Sequence, residues 1–331
     1  MEKLRNFEYL VGNGNISQKP MQPYDELICN FIGELSIELN LSPLSNKYSD
    51  IKTLAFWCRK KNIINIKKNF ISNETRLGLG LVFHITPSNI PTNFAYSLIF
   101  GLITGNSNIV KVPSQKFEQV KIICRAINKV LKKKYKTLRK MILIVRYTNN
   151  DNYTRKISSI CNARIIWGGD NSIRNIRKFE INQRSLDIAF ADRYSFCAMG
   201  TMEILKLNNN QIQRLVEKFY NDTYLVDQNA CSSPHLILWL GRNVVKARKK
   251  FWKNLYVYVD KKYHLTEIAS IDKYTQLCRD ILSLKNMKKY ERYGNSIYTI
   301  QLNHLDKELH NLRGKWGFFY EYEINNLNKI K

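Results

Sequence analysis

The segment DQNACSSP, residues 227–234, puts one thiol among small polar side chains, just ahead of an apolar run, 235–240, that reads as a buried strand. A cysteine at the mouth of a sheet, on a loop of Asn, Ala and Ser, suits a nucleophile. The backbone can approach a substrate closely there, and the scaffold fixes the loop. The competing reading is that Cys231 is a small buried hydrophobe, as single cysteines usually are. The other six, Cys29, Cys58, Cys124, Cys161, Cys197 and Cys278, are scattered and form no C-x-x-C pair. Neither a disulfide framework nor a zinc ribbon is expected. His84, His235, His264, His304 and His310 are dispersed without an H-E-x-x-H, so no protein-bound catalytic metal is expected.

Such a loop must be carried by a sheet, and from residue 79 the chain shows the pattern for one. The runs LGLVFHI (79–85), NIVKV (108–112), MILIVRY (141–147) and ARIIW (163–167) are short, apolar and partly β-branched, and SFCAM (195–199) closes the series. The spacing between them predicts helices over 93–104, opened by Pro91, over 117–132 and over 171–179. Continuous apolar strands alternating with amphipathic helices predict a parallel sheet covered on both faces, a doubly wound α/β domain of nucleotide-binding type. Ligands of such sheets sit beyond the carboxyl ends of the strands. The polar segments at those ends are TPSN, KVPSQ and WGGD. Thr86, Pro87, Lys111, Ser114, Gly168 and Gly169 lie in them, where a ligand of the sheet would sit. No G-x-G-x-x-G is present, and Gly78 and Gly80 lie on the wrong side of their strand.

Residues 1–75 read as mostly helical, with a helix over 24–39 and a second, capped by Ser49, running to Arg59. Beyond Gly200 the pattern predicts a helix over 212–220, the cysteine loop, a strand over 235–240, a basic helix over 242–255, a helical stretch over 261–284, and strands over 296–302 and 316–324. A chain of 331 residues fits two lobes, and the change of character divides it into 1–200 and 201–331.

The formal net charge is +26. A polyanion partner (nucleic acid, an anionic membrane or a phosphate-rich ligand) and a biased composition rich in Lys, Asn and Ile both account for it. The basic clusters at 60–68, 132–140 and 242–253 read as separate solvated faces, not as one groove. A nucleic-acid-binding module is a weak alternative, since interleaved surface aromatics and any known motif are lacking. No apolar run is long enough to span a bilayer, and MEKLRNFEYLVGNGN has no apolar segment behind its charges. A cytoplasmic protein without a transmembrane segment is expected.

GLVFHITPSNIPTNFAYSLIFGLITGNSNIVKVPS (80–114) and NDTYLVDQNACSSP (221–234) resemble the bacterial long-chain acyl-CoA reductases of the LuxC type, within the aldehyde dehydrogenase superfamily. FWCRKKNI (56–63), IIWGGDNSIRNIR (165–177) and DRYS (192–195) follow that family in the same order. The resemblance implies an aldehyde-dehydrogenase-like fold: a Rossmann-type cofactor domain, and an α/β catalytic domain bearing the cysteine. It further implies NADPH-dependent reduction of an acyl thioester to an aldehyde. Cys231 matches the nucleophile, and Gln228 the glutamine three residues before it. Asn89 matches the asparagine whose amide helps hold the oxyanion, and Lys111 the lysine that approaches the cofactor ribose. Gly168 and Gly169 match the small-residue turn beside the nicotinamide and pyrophosphate. His84 is given no catalytic role, and Ser232 and Ser233 are expected to shape the loop.

Departures from the family pattern refine this. Hydrolytic relatives carry a water-activating glutamate in an E-L-G-G-type motif, whereas the aligned RYSFCAMG, 193–200, has no carboxylate, which favours a reductase. Gln115 and Lys116 stand where NAD-using relatives often have a glutamate, which favours NADP, unless both are surface residues of the next helix. Family chains continue past the segment resembling 313–324, whereas this one stops at Lys331, so a truncated or split product is expected. A non-catalytic acyl-carrying or scaffold subunit is therefore kept as the alternative. The expected partners are acyl-CoA or an acyl-protein thioester and an acyl-activating enzyme, with assembly into a homo-oligomer left open.

Overall fold

The computed structural model describes residues 7–70, 74–148 and 151–325. The chain divides into two compact units, residues 1–192 and 193–331.

In the first unit the elements follow the order β1 (Phe7–Val11), α1 (Glu26–Leu41), α2 (Ser49–Trp57), α3 (Lys60–Phe70), β2 (Leu81–Ile85), α4 (Asn93–Ile103), β3 (Ser107–Lys111), α5 (Glu118–Lys133), β4 (Ile142–Tyr147), α6 (Asp151–Ile160), β5 (Ala163–Gly168), α7 (Asp170–Arg177) and β6 (Leu186–Ala191). The sheet order is β1-β4-β3-β2-β5-β6. All neighbours are parallel except β1, which pairs antiparallel with β4. This is the doubly wound sheet. From β2 the chain steps outward through β3 and β4, then returns to the other side of β2 for β5 and β6. Its direction therefore switches between β2 and β5.

Alternation along the strands separates two cores. Leu81, Phe83 and Ile85 of β2 pack with Ile109, Leu143 and Val145 on one face. Val110, Ile142 and Ile144 face the other way, onto α1, α4 and α5. Helix α1 opens on Asp25, whose carboxylate accepts the Leu27 N–H at 2.9 Å. Ser49 is not a cap: it is the first residue of α2, behind an extended Tyr48. Nor does Pro91 start α4, which begins at Asn93 after a turn at 91–92. The strand β1, the helix α6 and the edge strand β6 are additions to what the sequence pattern predicted. The 195–199 run does not close this sheet; it opens the second one.

The second unit runs β7 (Ser195–Gly200), α8 (Thr201–Lys206), α9 (Asn209–Thr223), β8 (Pro234–Leu240), α10 (Val244–Lys262), α11 (Glu267–Ser283), β9 (Met287–Tyr293), β10 (Ile297–Leu302) and β11 (Phe318–Ile324). Its sheet order is β7-β8-β11-β10-β9, parallel except for β9. One face carries Ile237, Trp239 and Phe319, packed with Val216 and Phe219 of α9 and Phe251 and Trp252 of α10. The other carries Leu236, Leu238, Tyr298, Ile300 and Phe318 with Leu277 of α11. No helix among the described residues is long and apolar enough to cross a membrane.

His84 shows how tightly β2 is set. Its Nε2 meets Asn108 Oδ1 at 2.9 Å, while the Asn108 amide nitrogen donates to Asn106 O. Nε2 must therefore carry the proton, and Nδ1 accepts from Ser97 Oγ at 2.7 Å. Ser97 Oγ in turn accepts from the Trp167 indole at 3.1 Å. Gly101 lies directly above this pair, where a Cβ would collide with Asn108 Oδ1. Burial lowers the imidazole pKa from 6.5 to about 4. The folded state thus keeps His84 neutral where the unfolded chain binds a proton. Stability is complete above pH ~6.5 and falls as the pH drops toward about 4, by up to ~3 kcal/mol. Urea unfolding at pH 7.5 and 4.5, followed by circular dichroism, checks this: wild type should lose more stability between the two than His84→Gln.

Candidate active site

The register brings the candidate cofactor contacts of the first unit to one end of its sheet. Ile85 pairs with Lys111 on β3 and with Ile166 on β5, so the strands end nearly level. Thr86 ties the first two together, its N–H and Oγ both donating to Lys111 O at 3.2 and 2.8 Å. Ser114 Oγ donates to Tyr147 O at the end of β4 at 3.3 Å. Both hydroxyls therefore shape the rim. Pro87 and Asn89 lie in the loop after β2, with Asn89 exposed. The cap of α4 is Thr92, so Asn89 is not its N-cap residue. Gly80 sits at the opposite end of β2, away from this crevice.

Gly168 ends β5 and Gly169 is the N-cap of α7. A Cβ at Gly169 would meet nothing within 4 Å, so its smallness leaves the space beyond it open. Beside this turn lies a cleft of about 600 Å³, lined among others by Ile85, Lys111, Arg155, Ser172 and Lys178. Lys111, Arg155 and Lys178 face one carboxylate there, Asp151. Lys111 Nζ lies 5.0 Å from the Tyr147 ring centroid, and burial lowers its pKa. A cleft at the switch point of a doubly wound sheet, with an excess of cations and a bare glycine turn, fits a nicotinamide dinucleotide. Arg155 and Lys178 were not legible as candidates, because Arg155 lies on α6, which the sequence pattern did not predict, and Lys178 at the exposed end of α7. Gln115 and Lys116 are exposed and precede α5, so they belong to the strand-end loop and not to the helix.

In the second unit Cys231 is exposed, alone among the seven cysteines. Burial raises the thiol pKa of Cys58 and Cys124 to about 12 and of Cys161 to about 11. Cys197, half-buried on β7, is also raised. Burial makes these thiols poor nucleophiles.

Helix α9 leads into the cysteine loop from a full capping box at Asn208 and Gln211. After a 3-10 turn, Asp227 and Gln228 adopt left-handed backbone with φ of 53° and 61°. The Gln228 side chain is buried and satisfied on every side. Its amide donates to Pro234 O at 2.9 Å and Phe318 O at 3.0 Å. Its oxygen accepts from the N–H groups of Gly317 and Phe318 at 3.1 and 3.2 Å. The side chain thus clamps the loop to the starts of β8 and β11. On the far side of the thiol, Ser195 Oγ donates to Cys231 O at 2.6 Å, and Ser233 Oγ to Asp222 O at 2.6 Å. The loop is held on both sides of Cys231 and leaves the side chain exposed.

The segment 193–200, without a carboxylate, forms the turn into β7 and the strand itself. The residue before it, Asp192, sits at the end of β6 and donates its N–H to Gly168 O at 3.1 Å. Asp187 is engaged by Arg164, with 2.7 Å between Oδ2 and Nη2.

The family described as LuxC, acyl-CoA reductase, matches residues 60–265. No curated protein matches the sequence. Among solved structures, an NAD-dependent benzaldehyde dehydrogenase from Corynebacterium glutamicum is 11% identical, with a TM-score of 0.62 over 93% of this chain and 73% of its own. An aldehyde dehydrogenase from Bartonella henselae is 14% identical, with a TM-score of 0.60 over 91% of this chain and 68% of its own. A mutant of proline utilization A from Bradyrhizobium japonicum is 12% identical, with a TM-score of 0.63 over 94% of this chain and 35% of its own. At these identities the likeness is one of fold, and the fold is that of the aldehyde dehydrogenases.

Cys231→Ala should abolish covalent labelling of the protein by a long-chain acyl thioester, whereas Cys197→Ala should leave it intact. Intact-protein mass spectrometry checks this, and equal labelling of the two variants would remove Cys231 as the nucleophile.

Proposed function

Because the chain belongs to the LuxC acyl-CoA reductase family, matched over residues 60–265, we propose that it reduces a long-chain fatty acyl thioester to the aldehyde through an acyl group carried on Cys231. Family and fold support oxidoreduction of acyl or aldehyde groups with a nicotinamide cofactor. The observation that carries the finer reading is the exposed thiol on a loop fixed from both sides.

The Cys231 thiolate attacks the thioester carbonyl. The new S–C bond forms, the carrier's C–S bond breaks, and the carrier thiol leaves with a proton. Sulfur replaces sulfur, so this exchange is nearly balanced in energy. The tetrahedral oxyanion needs donors already in place, and one such donor is typically worth about 3 kcal/mol. The Cys231 N–H and the Asn89 amide take this role in the proposal. A bound nicotinamide dinucleotide supplies hydride for reduction of the acyl carbon. Lys111 and the Gly168–Gly169 turn would hold that dinucleotide, with Thr86, Pro87 and Ser114 at the rim of its cleft. Collapse of the thiohemiacetal then returns the thiol and releases the aldehyde.

NADPH should bind more tightly than NADH, and Lys111→Ala should weaken both. Isothermal titration measures this. A preference for NADH would remove the role given to Gln115 and Lys116.

The acyl group on Cys231 should be long-lived in water and should discharge to aldehyde when NADPH is added. A positioned base typically contributes about 10²- to 10⁴-fold to attack by water, and 193–200 carries none. Single turnover of labelled acyl-CoA separates the fates. Asp192→Asn should not lengthen the lifetime, which a longer one would contradict by making Asp192 the base. Free fatty acid as the main product in the presence of NADPH would defeat the reductase reading.

A further inference from the structure

Helix α11 buries a lysine beside Ala269 and Leu277. Its outer face carries Ile268, Ile271, Tyr274 and Leu282, between 51% and 89% exposed, while Lys273 is fully buried. The ammonium of Lys273 donates to Asn295 O at 2.9 Å, Ser296 O at 3.0 Å and Trp316 O at 2.7 Å. It also lies 4.5 Å from the centroid of the Tyr298 ring. An ammonium has three N–H groups and no acceptor, so each proton meets one carbonyl and the ring face meets the remaining charge. None of these contacts is a carboxylate. The guanidinium of Arg292, 4.8 Å from the same ring, adds repulsion. Burying a cation among dipoles alone is unfavourable unless its geometry is well satisfied, which directs attention to what the three carbonyls hold.

Asn295 and Ser296 form the turn between β9 and β10. Trp316, with a left-handed φ of 55°, precedes Gly317, also left-handed at 83°. A Cβ at Gly317 would collide with Ser296 O and the Tyr224 hydroxyl. The Lys273 ammonium thus joins two closely packed loops whose carbonyls converge. The other edge of the second loop faces the cysteine loop. Trp316 N–H donates to Asp227 O at 3.3 Å, and Gly317 and Phe318 both donate to Gln228 Oε1.

We propose that Lys273 is a positioning residue for Cys231: its ammonium fixes the 316–318 backbone against which Gln228 sets the nucleophile loop. This rests on the reading of Cys231 as nucleophile. Removing the ammonium takes the Lys273 donor from three convergent carbonyls, of which Ser296 O keeps the Tyr224 hydroxyl at 3.2 Å. They then separate, and the N–H groups that anchor Gln228 move with them.

The test uses the full chain with Lys273→Ala, whose missing atoms n-propylammonium supplies. Acylation of Cys231 by myristoyl-CoA should slow by at least about tenfold. Deuterium exchange should rise by at least about tenfold in peptides spanning 226–233 and 314–319, and stay unchanged across β2 to β5. Propylammonium chloride should reverse both effects, whereas tetramethylammonium chloride, which has no N–H, should reverse neither. Lys273→Met keeps the hydrocarbon and lacks the donors, so it should show the same losses without rescue. Wild-type exchange at 226–233 in a folded Lys273→Ala protein overturns the inference. Equal rescue by tetramethylammonium overturns it, as does failure of both variants to fold with propylammonium present, since the role assigned is local. If wild-type Cys231 is not acylated while exchange follows the expected pattern, the nucleophile reading fails and the positioning one stands.

Discussion

A primary amide buried away from water must find a partner for each N–H and for its oxygen, and Gln228 finds all of them in backbone. Two bonds run to the starts of β8 and β11, and two return from the β11 strand start. The second unit is arranged around this requirement. The strands must be parallel neighbours so that Pro234 and Phe318 lie on either side of one side chain. Gly317 must be glycine so that the backbone can turn close against Ser296 and Tyr224. Cys231 is exposed on a loop held at Gln228, at the Cys231 carbonyl and at Ser233.

The first unit solves a different problem by the same means. A crevice at the end of a parallel sheet has no side chains to define it unless the strand ends are level. Thr86 and Ser114 level them by donating across the strands. His84, Ser97 and Trp167 fix the next layer down, linking β2, α4 and β5 through one chain of hydrogen bonds. Arg164, almost fully buried, anchors β6 by its pair with Asp187, and also donates to Phe179 O beyond α7. Polar groups with complete partners give this sheet a single arrangement where apolar packing alone would tolerate several.

Much of this was legible in the residues. Strands β2 to β5 read as continuous apolar runs because both of their faces are covered, and the cysteine loop stood out by its small polar residues. The elements that escaped are those whose burial inverts the usual pattern. In β6 the apolar Leu186, Ile188 and Phe190 are exposed while Asp187 is drawn in by Arg164. Edge strand β9 reads MKKYERY and carries the charges that protect an open sheet edge. Helix α6 buries only Tyr153, Thr154 and Ser158. Glu321, fully enclosed, accepts from the indoles of Trp239 and Trp252 at 2.8 and 2.6 Å. Periodicity treats such charged residues as solvated, and only their partners show otherwise.

The left-handed pair at Asp227 and Gln228 bears on the order in which the protein assembles. Two successive non-glycine residues in that region are each held at about 1–3 kcal/mol of strain, set against local bonds such as Gln228 N–H to Thr223 O at 2.7 Å. The Gln228 side chain adds a bond to Pro234 O nearby and others to Gly317 and Phe318, the last 90 residues further along the chain. Contacts of such separation form late, after the closure of a long loop. A growing polypeptide that has just extruded Cys231 therefore has the thiol but not its geometry. The full set of Gln228 bonds that holds the loop is complete only when β11 docks beside β8.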